Sequence, residues 1–246
     1  MLVKTRGIVL RHMKYGETSL IVDIFSEALG MRSYLVNGVR TARARNKAAL
    51  YQLMSLLDLV VYEREGKSLQ RIREAKPAHL YTRLPFELPR TAIGMFMAEL
   101  AGKVLREASP QDDLFVFLFE AFRQLDLTAH SISNYHLSFL AHFCGWLGFQ
   151  PDAAPWASTT QTAVFFDMQE GVFQDQAPDH PHHISPPLAR TFAALIQLPL
   201  QESYRIPLSR AQRKELLDRM LEFYYLHVAH LSTIRSHDIW AEVLHG

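Results

Sequence analysis

The chain of 246 residues has a single cysteine, Cys144, and this scarcity excludes any intramolecular disulfide. Disulfides belong to oxidising compartments, so this usage is typical of a protein in a reducing cytoplasm. The sequence also lacks a run of about 18 uncharged apolar residues, as a membrane-spanning helix requires. Its first residues lack the apolar stretch of a signal peptide. We therefore expect a globular, cytoplasmic protein with no membrane partner.

Catalytic signatures are also missing. The sequence has no Gly-x-Ser-x-Gly elbow, no glycine-rich loop followed by Lys-Ser or Lys-Thr, and no carboxylate cluster typical of a two-metal nuclease. The 11 glycines are scattered singly, which disfavours a nucleotide-cradling loop. Three histidines, His180, His182 and His183, lie close together, but their spacing matches no tetrahedral metal site. These absences predict a protein that is not an enzyme and has no cofactor.

The overall charge of +1 conceals a strong asymmetry between the two parts of the chain. Residues 1–78 carry 14 Lys and Arg against 7 Asp and Glu, whereas residues 79–246 carry 12 against 18. The first part therefore has a net charge of +7 and the second a net charge of −6. Such a split indicates an anion-binding N-terminal module on a near-neutral or acidic body.

Much of this positive charge lies in residues 40–47, here called the basic segment. It follows the turn pair Asn37-Gly38, and no acidic residue interrupts it. Its four cations repel one another, and a polyanion that covers them would release its condensed counterions. The alternative interpretation is a solvated loop without a ligand. The cations of the segment are Arg40, Arg43, Arg45 and Lys47.

Residues 1–78 have the alternating pattern of a small β domain. Strands are predicted at 2–12, 19–25, 31–36, 52–63 and 69–77. Five strands in this length favour a barrel of the OB type, with an SH3-like barrel as the alternative.

From Pro85 onward the apolar period changes to about 3.6, which predicts helices. Two short strands are predicted near Phe165 and Phe173, within a small β insertion at 160–185. The fold class is therefore α+β: an OB-type barrel at 1–78, then an all-helical domain at 79–246 that carries this insertion.

A cation and a ring on one strand face would suit a single-stranded nucleic acid, because charge follows the phosphates while rings accept the bases. Arg32 and Tyr34 share a face of the third strand, since the strand period is two. The alternative is a surface pair without a ligand. The candidate DNA-binding residues are Lys4, Arg6, Lys14, Arg32, Tyr34, Arg40, Arg43, Arg45 and Lys47, and Arg71 and Arg73 would extend the same surface.

Residues 16–25, Gly30 and residues 36–40 resemble the N-terminal signature of the RecO family of bacterial DNA repair proteins. The likeness continues through residues 53–73, 91–106 and 140–149 and ends at residues 231–236. It implies an OB domain, a helical domain and a non-enzymatic recombination mediator. Such proteins bind single- and double-stranded DNA, anneal complementary strands and, with RecR, help to load RecA on strands coated by the single-strand binding protein SSB.

The resemblance also implies the partners RecR, the C-terminal tail of SSB and, as a further possibility, RecF, with a location at the nucleoid. It assigns DNA binding to the basic segment. Many family members hold zinc through four cysteines at the place of residues 164–173. Here the cysteines are missing, so we expect no zinc and a hairpin held by Phe165, Phe166 and Phe173. The competing hypothesis is an OB adaptor that binds an acidic protein partner without nucleic acid.

Overall fold

A computed structural model describes residues 1–39, 48–64, 66–106, 108–157 and 163–236. The chain divides into two compact units: the first is Met1–Leu127 with the described residues from Thr233, and the second is Thr128–Ser232. The first unit contains residues on both sides of the domain boundary predicted at 78/79, and that boundary stays a prediction. Within the described ranges, no helix has the length and apolar character needed to cross a bilayer.

Five strands close into a barrel in the first unit. Their order is β1-β2-β3-β5-β4, and every pair of neighbours is antiparallel except the parallel pair β3–β5. The predicted OB-type barrel is therefore confirmed. The strands are β1 Leu2–Tyr15, β2 Ser19–Ser26, β3 Gly30–Val36, β4 Leu56–Tyr62 and β5 Leu69–Pro77.

The long strand β1 closes the barrel because it pairs with two neighbours. Its first half pairs with β4 and its second half with β2, with a register shift between Val9 and Arg11. Gly7 lies where the two pairings overlap. A Cβ atom there would lie 2.6 Å from Ile24 Cγ2 and 2.8 Å from Leu59 Cδ1, closer than carbon atoms pack. Glycine therefore lets β1 pass over the barrel interior at this point.

The barrel interior is filled by alternate side chains of every strand, as a small closed barrel requires. Tyr34 lies in this core with no exposed surface. The other buried members are Val9, Leu20, Val22, Ile24, Val36, Val39, Tyr51, Leu57, Leu59 and Val61.

Two helices belong to the same unit, α1 at Leu88–Val104 and α2 at Asp112–Leu127. Helix α1 approaches β1 closely at Gly102, where a Cβ atom would lie 3.3 Å from the carbonyl oxygen of Leu10. Asp126, at the end of α2, is fully buried. Its carboxylate accepts hydrogen bonds from the backbone N–H groups of Arg83 and Leu84 at 2.8 and 2.7 Å. This carboxylate fixes the segment that leads from the barrel into α1.

The end of the described chain returns to α1. Glu99 accepts hydrogen bonds from the backbone N–H groups of Arg235 and Ser236, at 3.1 and 2.8 Å, and from Lys103 Nζ at 2.6 Å. Burial would raise the pKa of Glu99, but these donors lower it to about 2. The sequence also predicts a last helix from Ser236 onward, and apart from Ser236 itself this stretch lies outside the described residues.

The second unit combines helices with a three-stranded sheet of order β7-β6-β8. Residues 175–187 are rich in Pro and His, a composition that predicts irregular structure, and the two-residue strand β8 lies among them. The elements are α3 Tyr135–Trp146, α4 Ala154–Ala157, β6 Phe165–Asp167, β7 Val172–Gln174, β8 His183–Ile184, α5 Leu188–Gln197, a 3₁₀ helix at Leu200–Arg205 and α6 Arg210–His227.

Aromatic packing holds this sheet against the helices. The ring of Phe166 lies 4.7 Å from that of Phe173 and 5.0 Å from those of Phe192 and Phe223, measured between centroids. These separations are typical of favourable aromatic pairs. Phe166 and Phe173 pack as predicted, whereas Phe165 is only half-buried and contacts His183.

Candidate nucleic-acid interface

A groove of about 1000 Å³ opens on the barrel and is here called the barrel groove. Its lining consists of residues 4–6, 27, 35–37, 50, 51, 58–60 and 71–76. Asn37 and Leu50, which lie on either side of the basic segment, both belong to this lining. The chain therefore enters and leaves the basic segment at the groove. The predicted DNA-binding residues Arg40, Arg43, Arg45 and Lys47 themselves lie outside the described residues.

The described lining of the groove carries more positive than negative charge. An excess of one sign in a concave site raises the local concentration of oppositely charged ligands. Five cations face three carboxylates there: Lys4, Arg6, Arg71, Arg73 and Lys76 against Glu27, Asp58 and Glu74.

The guanidinium of Arg6 is engaged in contacts within the protein. Its Nε and Nη2 donate to the two oxygens of Glu27 at 3.0 and 2.5 Å, and its guanidinium lies 5.3 Å from the ring centre of Phe115 and 5.0 Å from that of Phe119. The hydrogen bond to Glu27 raises the pKa of Arg6 and lowers that of Glu27. A bidentate ion pair over two rings is a structural arrangement. We therefore assign Arg6 to the joint between β1 and α2.

The remaining cations of the groove are available to a ligand. Arg73 Nε lies 3.3 Å from Glu74, and Lys76 Nζ lies 3.5 Å from Asp58, but both pairs are exposed. Exposed pairs contribute at most about 1 kcal/mol, so a phosphate can replace the carboxylate. Lys4 and Arg71 are exposed and form no ion pair with any described residue.

Strand pairing places an exposed ring beside this charge. Across β1, β4 and β5 the register aligns Leu2 with Tyr62 and Tyr62 with Arg71. Tyr62 is 39% exposed. A ring next to an unpaired cation is the combination that binds a base and its phosphate. Sequence reasoning missed Tyr62, because only the pairing of β4 with β5 places it beside Arg71.

The ring that the sequence assigned to this role was Tyr34, and that prediction is wrong. Tyr34 pairs with Val22 across the strands and is enclosed in the barrel core. Burial raises its pKa to about 12. Arg32 shares its strand face with Tyr34 but lies near the barrel end, where its Nε is 3.8 Å from Glu63 Oε1. It does not line the barrel groove.

Lys14 lies on the hairpin formed by β1 and β2. The turn of this hairpin contacts the residues before the basic segment: Val39 N donates to Thr18 O at 2.9 Å, and Ser19 Oγ donates to Asn37 Oδ1 at 3.2 Å. Lys14 is exposed. The hairpin that carries Lys14 therefore contacts Asn37, which also lines the barrel groove.

The histidines of the second unit do not form a metal site. His180 Nε2 lies 3.2 Å from Asp167 Oδ2, whereas His182 Nδ1 lies 2.6 Å from Glu222 Oε1. These two histidines therefore contact different carboxylates, and His183 Nδ1 lies 2.7 Å from the carbonyl oxygen of His180. No three His, Cys, Asp or Glu side chains of the described ranges are arranged to hold a metal ion. These residues do not fit the zinc that the resemblance associates with this sheet.

Family models and related proteins match nearly the whole chain. The family model "Recombination protein O N terminal" matches residues 1–81, and "Recombination protein O C terminal" matches residues 85–235. A DNA repair protein RecO of Phocaeicola vulgatus is 32% identical over 243 residues, which is 99% of each chain. That of Bacteroides fragilis is 31% identical over 244 residues, again 99% of each. That of Porphyromonas gingivalis is 27% identical over 242 residues, which is 97% of this chain and 98% of the relative.

Proposed function

This chain belongs to the Recombination protein O (RecO) family of DNA repair and recombination proteins, and we propose that it binds single- and double-stranded DNA and anneals complementary strands. The observation that carries the proposal is the barrel groove. It presents Lys4 and Arg71 without ion-pair partners among the described residues, and its lining includes Asn37 and Leu50, which flank the basic segment in the sequence. A phosphate backbone is the ligand that such a surface favours.

Annealing on this surface requires no covalent step. Two DNA strands repel each other because each carries a dense row of phosphates, and cations that neutralise the phosphates reduce that repulsion. Base pairing then drives the reaction. Tyr62 supports one base by stacking while Arg71, its neighbour across the strands, holds a phosphate. The protein therefore acts as a mediator and not as an enzyme.

We further propose the partners that accompany such a mediator. With RecR it helps to load RecA on SSB-coated single strands, and the C-terminal tail of SSB and RecF are additional partners. Such partners place the protein in the cytoplasm at the nucleoid. The support is the membership of the family together with the acidic balance of residues 79–246, which leaves DNA binding to the basic barrel.

The direct test uses fluorescence to measure the annealing of two complementary oligonucleotides. In the variant Lys4→Glu with Arg71→Glu, we expect annealing and single-strand binding to fall at least 10-fold, because two phosphate contacts become repulsive. The matched control is Arg190→Glu with Arg210→Glu, which makes the same charge change at exposed residues of the second unit.

Equal loss in both variants would show that only net charge matters. Absence of DNA binding by the native chain, together with binding of an acidic peptide, would instead favour the protein adaptor.

A further inference from the structure

A second basic pocket lies on the barrel, at the turn between β4 and β5 and at the start of β3. It encloses about 620 Å³, within the range of ligand sites. We call it the turn pocket. Of the residues that the structure describes, none lines both this pocket and the barrel groove. Among the described residues, its cations are Arg32, Arg64, Lys67 and Arg106, and its carboxylate is Glu63.

Most of this positive charge has no ion-pair partner among the residues that the structure describes. Arg64, Lys67 and Arg106 are exposed, and their side chains form no ion pair with any residue that the structure describes. Arg32 lies 3.8 Å from Glu63 Oε1, beyond hydrogen-bond distance. Four cations around one cavity repel each other, and an anion in the cavity would relieve that repulsion. The turn pocket therefore favours an anionic ligand.

The turn that carries Arg64 and Lys67 is held in place by a buried side chain. Gln70 is only 3% exposed, and its Nε2 donates to the carbonyl oxygens of Arg64 and Lys67 at 2.8 and 2.9 Å. Its Oε1 accepts from Arg64 N at 3.2 Å. Gln70 thus holds the backbone of the two residues that carry these cations before any ligand binds. Preorganisation of this kind lowers the entropy cost of binding.

One residue of the pocket lining, Glu63, carries a hydrogen-bond acceptor without a donor among the described residues. Glu63 Oε2 is buried and has no hydrogen-bond partner within the described chain. A buried acceptor without a donor is unfavourable, and an N–H or O–H group of a ligand would satisfy it. A nucleotide supplies both a phosphate for the cations and such donors on its base or sugar.

The turn pocket and the barrel groove meet along the parallel pair β3–β5. The register pairs Ser33 with Leu69 and Leu35 with Arg71. Ser33 lines the turn pocket, while Leu35 and Arg71 line the groove. Ser33 and Leu35 are about 7 Å apart along a strand, a distance that a stacked single strand covers in about two nucleotides. A strand that leaves the groove across this seam therefore reaches the turn pocket.

We propose that the turn pocket binds phosphates of the same single strand that occupies the barrel groove and so extends the DNA path around the barrel. This inference rests on the proposed DNA binding. Residues 71–76 of β5 give the groove a length of about 17 Å, which holds about five nucleotides of a stacked strand. Only a longer strand reaches Arg64 and Lys67.

The test compares oligonucleotides of about 5 and about 15 nucleotides by fluorescence anisotropy at several salt concentrations. In the variant Arg64→Gln with Lys67→Gln, the 15-nucleotide strand should bind about 25-fold more weakly at about 0.1 M salt, and its salt slope should fall by about 1.4. The 5-nucleotide strand should bind this variant and the native chain with the same affinity. Arg64→Lys with Lys67→Arg keeps both charges and should bind both lengths normally, and Arg190→Gln with Arg210→Gln is the matched control.

The outcomes separate this inference from the proposal on which it depends. Native protein that binds neither length contradicts DNA binding itself. Native protein that binds both lengths while the Gln variant loses neither, or loses both equally, overturns the extended path. The extended path is also overturned if the Gln variant binds both lengths normally but its complex with one strand fails to capture a second strand. The turn pocket would then bind a separate strand.

Discussion

Substitution of Asp126 by asparagine should destabilise the first unit by about 3 kcal/mol. The buried carboxylate accepts three consecutive backbone N–H groups, from Thr82 at 3.1 Å, Arg83 at 2.8 Å and Leu84 at 2.7 Å. Hydrogen bonds to a charged group contribute about 1.5–3 kcal/mol each and neutral ones about 0.5–1.5 kcal/mol. Asparagine keeps one acceptor oxygen but no charge, so each of three bonds weakens by about 1 kcal/mol.

Thermal and urea unfolding measure this loss. A change of 3 kcal/mol corresponds to a decrease of about 6–12 °C in Tm for a chain of this size. The control is Asp113→Asn, an exposed position in the first turn of the same helix, where the loss of a helix-dipole interaction costs at most about 1 kcal/mol. Equal stability of the two variants would refute the assigned role of Asp126.

The same carboxylate predicts a dependence on pH. Burial alone would raise the pKa of Asp126, but the N–H groups of Leu84 and Arg83 lower it below its ordinary value of 3.8. A lowered pKa means that the stabilisation is complete above the unfolded value, about 3.9, and is lost as the pH falls through the folded value. Asp126→Asn should therefore reduce the sensitivity of the first unit to acid.

Three further predictions concern the interface, the end of the described chain and the sheet of the second unit. Tyr62→Ala should weaken single-strand binding by about 1–3 kcal/mol, the contribution of one stacked base, whereas Tyr62→Phe should not; equal affinity of all three proteins would contradict stacking. Glu99→Gln should speed tryptic cleavage after Arg235, because it weakens the hydrogen bond that Glu99 accepts from Arg235 N. In the native chain this bond should weaken as the pH drops from 4.5 toward about 2, where Glu99 becomes protonated. An unchanged cleavage rate of the variant at neutral pH would contradict this role of Glu99. Elemental analysis should find no stoichiometric zinc, and EDTA should leave Tm unchanged; one zinc per chain would refute the aromatic packing as the replacement for metal.

The five-stranded barrel and the helices could be predicted from sequence because their signals are local. Alternating apolar residues, turn pairs and the change of period near Pro85 depend on neighbouring residues only. Strand β8 lacked such a signal, since its two residues are held by the pairing of Phe166 with Ile184 and Asp167 with His183. Such a contact depends on the tertiary fold.

The candidate site was predicted only in part for a related reason. A strand period of two correctly places Arg32 and Tyr34 on one face, but it does not say which face is inside. Both faces of β3 carry apolar and polar residues, and closure of the barrel turns Tyr34 inward. Tyr62 became visible as an interface residue only when the pairing of β4 with β1 and β5 aligned it with Arg71. Similarly, the bond of Arg6 to Glu27 joins residues 21 positions apart.

The most direct measurement is the salt dependence of single-strand affinity for the native chain and for Lys4→Glu with Arg71→Glu. Six cations, these two and the four of the basic segment, contribute about −4 to the slope of log affinity against log salt. The variant should lose at least about 1.4 of this slope, and Arg190→Glu with Arg210→Glu should lose none. A slope near zero for the native chain, or the same slope in the groove variant, would contradict the claim that the barrel holds a phosphate backbone.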